Sequence, residues 1–474
     1  MAEGASKDTR IDLRHMIAAL AAFAAIGLYA VPTPPGIPEP TMRALALTVL
    51  AIGLYATAVI PGYFTSIIYM FLVVLLAVAP PAVAFSGFHS SAVWLVFGGL
   101  VIGQGVQQSG LGARAVRSMI AYFPTSYLGT VTAIASVSGM MGFIIPSAVG
   151  RVSLLVPIVL ALADRIGHPP GSRGRAGFVI AAAGATTIPA FAILPANVPN
   201  IGLIGAAESI YKVSFTYGEY LALNFPVLGL LGLAIMPVLI AWRFGEPPQT
   251  TVKPAADRAE DGGATAWSRS ERLLLAIVMV AIALWATDFL HRISPAWVAL
   301  GAAVICLTPR IGVLPASVIV EKLNFGPWFF VAGIIGMGAV ATHAGLGTQI
   351  AERLLAAVGL APGAGFANFA AIVGLGMGVG LVTTLPAAPA IMTPLASAIA
   401  DATGWPLESV LLAQVPSWMV FPLPYLVPPV VVAIAIGGVT MAQMMRFLFP
   451  YFLFGLLVLL PLQYVWGRLL GYYP

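Results

Sequence analysis

Arg151 stands where a charge is least welcome. It closes the run Pro146-Ser147-Ala148-Val149-Gly150-Arg151, with apolar residues at 140–145 before it and Leu154-Leu155-Val156 after. It is the one Lys or Arg that falls well inside a predicted membrane segment. A charge at the bilayer centre costs roughly 3 kcal/mol or more, so it is usually paired and usually functional. Ser147 lies four residues earlier and shares a helix face with it. Together a hydroxyl and a planar guanidinium could hold a carboxylate, sulfonate or phosphonate, the guanidinium as a bidentate fork. The competing reading is an arginine that snorkels or braces a loop.

Three further stretches put polar groups beside prolines at membrane depth. Asn197 and Asn200 belong to Pro195-Ala196-Asn197-Val198-Pro199-Asn200, and their amides can donate or accept. They could equally cap a broken helix. Thr383 and Thr384 precede Leu385-Pro386, although such hydroxyls often bond back to their own helix. Tyr425 is the one obvious polar group in Leu423-Pro424-Tyr425-Leu426-Val427-Pro428-Pro429-Val430. Acids are absent from the predicted spans: Asp164, Glu208, Asp288, Glu321, Glu352, Asp401 and Glu408 all sit near ends, and so does His343. A proton pump or cation carrier normally needs a buried carboxylate. A buried cation instead points to an anionic substrate.

The elements that position these groups are transmembrane helices. The chain has 474 residues, 60% hydrophobic and 8% charged, the composition of an integral membrane protein. Its net charge of +5 follows loop Lys and Arg and gives no reason to expect nucleic acid. Cys306 is alone, which excludes a disulfide framework and a cysteine metal site. The polar, partly acidic start is unlike a signal peptide, so the run from Met16 reads as a retained first span. Apolar segments follow at 16–31, 42–60, 63–83, 92–110, 128–166 (interrupted at Pro146), 178–208 (broken at 195–200) and 221–242. After a polar linker at 246–271 come 273–290, 297–307, 328–342, 366–400 (interrupted at 383–389), 411–436 (broken at Pro428-Pro429) and 447–470.

The halves match in order. Ser109-Gly110-Leu111-Gly112 parallels Ala344-Gly345-Leu346-Gly347, Leu154-Leu155-Val156-Pro157 parallels Ile391-Met392-Thr393-Pro394, and Pro199 parallels Pro429. The offsets stay between 230 and 237 residues, which argues for an internal repeat. Treating both interrupted stretches as re-entrant hairpins gives about eleven crossings, with the N-terminus cytoplasmic and the halves inverted. Sixteen Lys and Arg then lie inside and five outside (Arg43, Lys212, Arg292, Arg353, Arg468). The fold class expected is therefore an all-α polytopic membrane protein, about eleven transmembrane helices plus two re-entrant hairpins in an inverted repeat. Irregular backbone at that depth survives only where it is buried or lines a wet cavity. Two hairpin tips and two broken helices thus mark one central site of a secondary transporter. A helix starting near Ser147 also points free N–H groups at an anion. No constellation of Asp, His and Ser suggests a membrane enzyme, and alternating access fits the inverted hairpins better than a channel does.

On Phe97-Gly98-Gly99…Ser109-Gly110-Leu111, Ser147…Leu154-Leu155-Val156-Pro157, Ala196-Asn197-Val198-Pro199-Asn200 and Leu423-Pro424…Pro428-Pro429, the chain resembles the divalent anion/sodium symporter (DASS) family of the ion transporter superfamily. The resemblance covers most of the chain. It implies a bacterial inner-membrane homodimer working as an elevator. Scaffold helices would occupy 1–125 and 272–360. The transport domain would occupy 126–245 and 361–474, carrying one hairpin and one broken helix in each half. The family places Ser-Asn-Thr at each hairpin tip for sodium and carboxylate contacts. Here the tips read Ser147-Ala148-Val149 and Thr384-Leu385-Pro386, and Val427-Pro428-Pro429-Val430 replaces Thr-Pro-Pro-Asn. Sodium ligands are thereby reduced to Ser147, Asn200 and Thr384. The expectation is a transporter of a small organic anion, not strictly sodium-coupled and needing no other cofactor, with Ser147, Arg151, Asn197, Asn200, Thr383, Thr384 and Tyr425 at the site. The alternative is a sodium-coupled di/tricarboxylate or sulfate symporter.

Overall fold

The computed structural model describes residues 13–112, 114, 126–145, 147–248, 266–346 and 358–474. Pro146, Gly347, Glu352, Arg353 and most of the 246–271 linker lie outside the described residues. The described chain is helical throughout and holds no strand. Seven helices among the described residues are long and apolar enough to cross a membrane. Shorter apolar helices stand beside them, including Gly62–Leu75, Pro295–Leu307 and Pro428–Gly437. The number is below the eleven crossings expected from hydropathy. Glycine, glutamine or a charged first turn dilutes some helices, and breaks shorten others.

In chain order the first half gives α1 (Leu13–Ala30), α2 (Glu39–Thr57), α3 (Gly62–Leu75) and α4 (Ser91–Ser109). A helical hairpin follows, α5 (Tyr127–Ile144) and α6 (Ala148–Arg165). Next come α7 (Arg173–Thr187) and α8 (Val198–Tyr211), two pieces of a broken helix, and α9 (Tyr217–Phe244). The second half repeats the series from α10 (Arg269–Ala286), α11 (Pro295–Leu307) and α12 (Gly326–His343). Its hairpin is α13 (Gly365–Val382) with a returning limb of α14 (Ala388–Met392) and α15 (Ala396–Thr403). Its broken helix is α16 (Leu407–Ala413) and α17 (Pro428–Gly437), and α18 (Met441–Leu469) ends the chain.

Local chemistry sets the boundaries. Ser126, Ser147 and Ser172 each cap the helix that follows by accepting the backbone N–H of its third residue. Gly110 and Gly345, matched in the sequence repeat, both sit at left-handed φ (80° and 70°) just past α4 and α12, where a side chain would be strained. The prolines behave differently from the sequence expectation. Pro428 and Pro429 do not break a helix; they open α17, where a missing N–H costs nothing. The break lies upstream, in the irregular 416–427 segment. The first break likewise begins at Ile188, earlier than 195.

Packing crosses the repeat. The returning limb α6 of hairpin one lies against α17 of the second half, and α14 of hairpin two lies against α8 of the first. Ala- and Gly-rich α7 is almost wholly buried at the centre, contacting α5, α6, α9 and α17. α4 packs with α10, α11 and α12, α2 and α3 join α12 on that side, and α1 packs on α2.

At one end of this assembly His168 is buried against Tyr127 and Phe178, with Nδ1 3.7 Å from Glu246 Oε1. Burial lowers its pKa below the usual imidazole value, and Glu246 opposes the shift. The folded state therefore favours neutral His168. That stability is present above the ordinary imidazole pKa of about 6.5 and is lost as pH falls through the lower folded value. The apparent Tm of detergent-purified protein should drop as pH falls from about 7 to about 5. His168→Phe, which keeps the ring contacts, should flatten that slope, and an unchanged slope would remove His168 as its source.

Candidate functional site at the hairpin and helix breaks

The polar residues picked from the sequence lie at the irregular joints between these helices. At hairpin one, Ser147 is the N-cap of α6 and its Oγ accepts from Gly150 N at 3.1 Å. The backbone N–H of Arg151 is taken by Ser147 O at 3.0 Å. The first-turn amides of Ala148 and Val149 have no partner within the helix, the ordinary state of a helix N-terminus and the reason it attracts anions.

The Arg151 side chain turns inward. It is 0% exposed, and among the described residues only backbone carbonyls hold its guanidinium. Nη1 donates to Ile145 O, and Nη2 donates to Thr186 O at 3.0 Å and Ala196 O at 3.3 Å. Ile145 ends the first limb of hairpin one, Thr186 is in the last turn of α7, and Ala196 precedes α8. One cation therefore ties the hairpin to both edges of the first break. Nε is buried without a partner. Hydrogen bonds from a charged donor contribute about 1.5–3 kcal/mol each, against an effective desolvation cost of several kcal/mol for a buried ion. Carbonyl oxygens gathered round a positive charge are also how proteins hold alkali cations.

The two asparagines serve the same break. Asn200, wholly buried, donates from Nδ2 to Ala190 O (3.2 Å) and Ile193 O (2.9 Å), and its Oδ1 accepts from Trp418 Nε1 at 3.3 Å. Asn197 occupies the N-cap position of α8 without capping it, and donates to Thr187 O at 3.3 Å. Ser147, Arg151, Asn197 and Asn200 thus gather around the first break. The other three residues stand apart from that network. Thr383 ends α13 and bonds back to Val379 O at 2.8 Å, the competing role weighed for it. Thr384 precedes the turn Leu385–Ala387 and is half-buried. Tyr425, in the turn Pro424–Leu426, is 53% exposed. An apolar groove of about 600 Å³ between α2 and α13 touches Thr383 but none of the hairpin-one residues. No group of three His, Cys, Asp or Glu able to hold a metal occurs among the described residues.

Sequence reasoning missed the second-half partners. Trp418 reads as core in an apolar run, yet its indole N–H joins the two repeats through Asn200. Gln414 donates to Met392 O at 3.3 Å, fixing the second broken helix to hairpin two, and its Oε1 is buried without a partner. A lone glutamine inside a predicted span was the available signal.

Similar proteins share this architecture. Residues 12–473 match the sodium:sulfate symporter transmembrane region. The chain belongs to that family. It is the family of divalent anion/sodium symporters, and the protein is an integral membrane transporter of it. A protein of Cupriavidus necator described as a membrane protein is 25% identical over 70% of this chain and 67% of its own length. The L-tartrate/succinate antiporter of Shigella dysenteriae is 23% identical over 55% of this chain and 54% of its own length. Its counterpart in Escherichia coli K12 is 26% identical over 33% of the chain and 32% of its own length. The chain thus spans only a third to two thirds of these relatives. Among solved structures, the Alcanivorax borkumensis YdaH transporter aligns with 92% of this chain and 100% of its own at a TM-score of 0.53 and 16% identity. Neisseria gonorrhoeae MtrF aligns with 96% of this chain and 94% of its own at 0.50 and 14%. At these identities the likeness is one of fold.

Trp418 and Asn200 form a buried pair, so removing one partner strands the other at about 1–3 kcal/mol. Trp418→Phe and Asn200→Leu should each lower thermal stability. The double variant should cost less than the sum of the two, as residues in contact require. Strict additivity would mean that the bond contributes nothing.

Proposed function

We propose that this protein is a secondary active transporter of a small organic anion, with dicarboxylates the class to test first. It works as an elevator and without strict dependence on sodium. The observation that carries the reading is the Arg151 guanidinium seated among the carbonyls of Ile145, Thr186 and Ala196. A tethered cation there supplies the positive charge that a bound sodium ion would bring, and it travels with the protein. Substrate then meets the α6 N-terminus: the Ala148 and Val149 amides, the Ser147 hydroxyl and the field of Arg151 behind them. Exchange of one anion for another follows naturally, because a fixed charge leaves the carrier unbalanced until an anion occupies it. Relatives described as tartrate/succinate antiporters agree with that mode.

In this reading α5–α9 and α13–α18 form the moving transport domain, and α1–α4 with α10–α12 form the scaffold of a homodimer. The N-terminus faces the cytoplasm of a bacterial inner membrane. The second reading, sodium-coupled symport, is favoured by the family's description. Against it, both amide hydrogens of Asn200 and one lone pair of its carbonyl oxygen are already engaged.

The deciding experiment is uptake of labelled succinate, tartrate and small sulfonates into proteoliposomes, with sodium or choline outside and with or without anion trapped inside. The expected result is uptake that needs trapped anion and ignores sodium. Arg151→Ala should lower exchange at least about tenfold, equivalent to about 1.4 kcal/mol, with residual transport rising when sodium is added to the emptied carbonyl cradle. Full sodium-independent transport by Arg151→Ala would overturn the role of the guanidinium. Strict sodium dependence of the unmodified protein would overturn the whole reading in favour of symport.

A further inference from the structure

The last turns of α4 run beside hairpin one. Gly103 faces Ile145, and Gly112 lies against Leu154. Between them Gln107 meets the first turn of α6. A Cβ placed on Gly150 would stand 3.2 Å from Gln107 Nε2 and 3.3 Å from Ser147 Oγ. The space just beyond Gly150 is therefore bordered at hydrogen-bond range by an amide of one helix and a hydroxyl of the other. Glycine keeps that space open, and any other residue would fill it.

Both polar groups are able to donate there. Ser147 Oγ accepts from Gly150 N at 3.1 Å, which leaves its own hydrogen free. Gln107 is exposed and makes no hydrogen bond among the described residues. A polar side chain in an apolar span ordinarily faces a partner or a water-filled path. Nothing on these two helices invites a cation. α4 has no ionisable side chain, and the one acid of α6, Asp164, is at its far end and paired with Arg175. The buried Arg151 guanidinium, next in sequence after Gly150, makes the local field positive. Val149 is 41% exposed, so this turn is open to a solute.

We propose that Gln107 is a substrate contact carried by the scaffold: its amide and the Ser147 hydroxyl together hold one oxygen of the anion beside Gly150. The inference deepens the functional reading above and rests on it, the elevator included. A carboxylate or sulfonate has a further oxygen for the Ala148 and Val149 amides, whereas a halide is a single atom and cannot serve both places. The contact also makes the two faces of the membrane unequal. Ser147, Gly150 and Arg151 travel with hairpin one, and Gln107 stays with α4. Once α6 has moved along α4, Gln107 no longer stands beside the tip. It therefore serves one facing state, that of the side on which α4 ends, which is cytoplasmic in the same reading.

Exchange of labelled succinate in everted and right-side-out membrane vesicles separates the two faces. Gln107→Ala should raise KM about three- to tenfold in everted vesicles, where the cytoplasmic face is outermost, and by a smaller factor in right-side-out ones. Gly150→Ala puts a methyl where the oxygen sits and travels with the hairpin, so it should raise KM on both faces. An unchanged KM for Gln107→Ala in everted vesicles, or an equal rise on both faces, overturns the proposal. Thiol labelling tests the contact without transport. Cys306 is buried, so a maleimide should report an introduced Gln107→Cys in detergent-purified protein. Succinate, tartrate or a small sulfonate should slow that labelling several-fold, and chloride should not. Gln108→Cys, one position along the helix, should label at the same rate with or without anion. Labelling of Gln107→Cys that no oxyanion slows, or equal slowing at both positions, overturns the contact. Absence of exchange by the unmodified protein would count against the functional reading, and the labelling would still decide whether Gln107 borders an anion site.

Discussion

A guanidinium enclosed by backbone is the constraint on which the rest of this structure depends. Among the described residues Arg151 pairs with no acid, so three peptide carbonyls are brought to it, one from a hairpin tip and two from a broken helix. A regular helix has no carbonyls to spare, since its own N–H groups take them. The break between α7 and α8 exposes them, and the short turns Pro189–Ala192 and Leu194–Ala196 hold them in place. Asn200 secures the same segment by binding the carbonyls of Ala190 and Ile193. The irregular backbone and the buried charge therefore satisfy each other, and neither is tolerable alone in a membrane protein.

The two repeats solve one problem by different means. Four residues beyond Thr384, where the first repeat has Arg151 after Ser147, stands Ala388. The second half is instead fixed by neutral donors from outside its hairpin: Gln414 reaches Met392 O, and Tyr211 of the first half reaches Thr393 O and Pro394 O. One half of the centre is thus charged and the other neutral, while buried polar atoms without a partner occur in both: Arg151 Nε, Thr186 Oγ1 and Thr187 Oγ1 in the first, Gln414 Oε1 and Thr393 Oγ1 in the second. An internal repeat preserved in backbone has become chemically unequal.

Much of the architecture was legible because membrane helices announce themselves by length and hydropathy, and because the Gly110 and Gly345 matches mark real helix ends. The hairpin interruptions near 146 and 383 were legible for the same reason. The edges of the broken helices were not: proline reads as a breaker, yet Pro199, Pro428 and Pro429 occupy first-turn positions where it is accommodated. The grouping of Ser147, Arg151, Asn197 and Asn200 at one joint was foreseeable from their place beside breaks. What each of them binds was hidden, because backbone carbonyls leave no signature in a sequence. Trp418 was missed for a related reason, since an indole in an apolar run looks like packing until its N–H finds a partner.

Both α9 and α18 contain a stretch of wide π-helical turns, Phe225–Leu231 in the first and Gly455–Leu459 in the second. The stretches begin 230 residues apart, the spacing that also separates Pro199 from Pro429. A wide turn of this kind amounts to one residue too many in an otherwise regular helix. A wide turn is also a place where a long helix can kink, so the last helix of each half has its point of bending at the matched position.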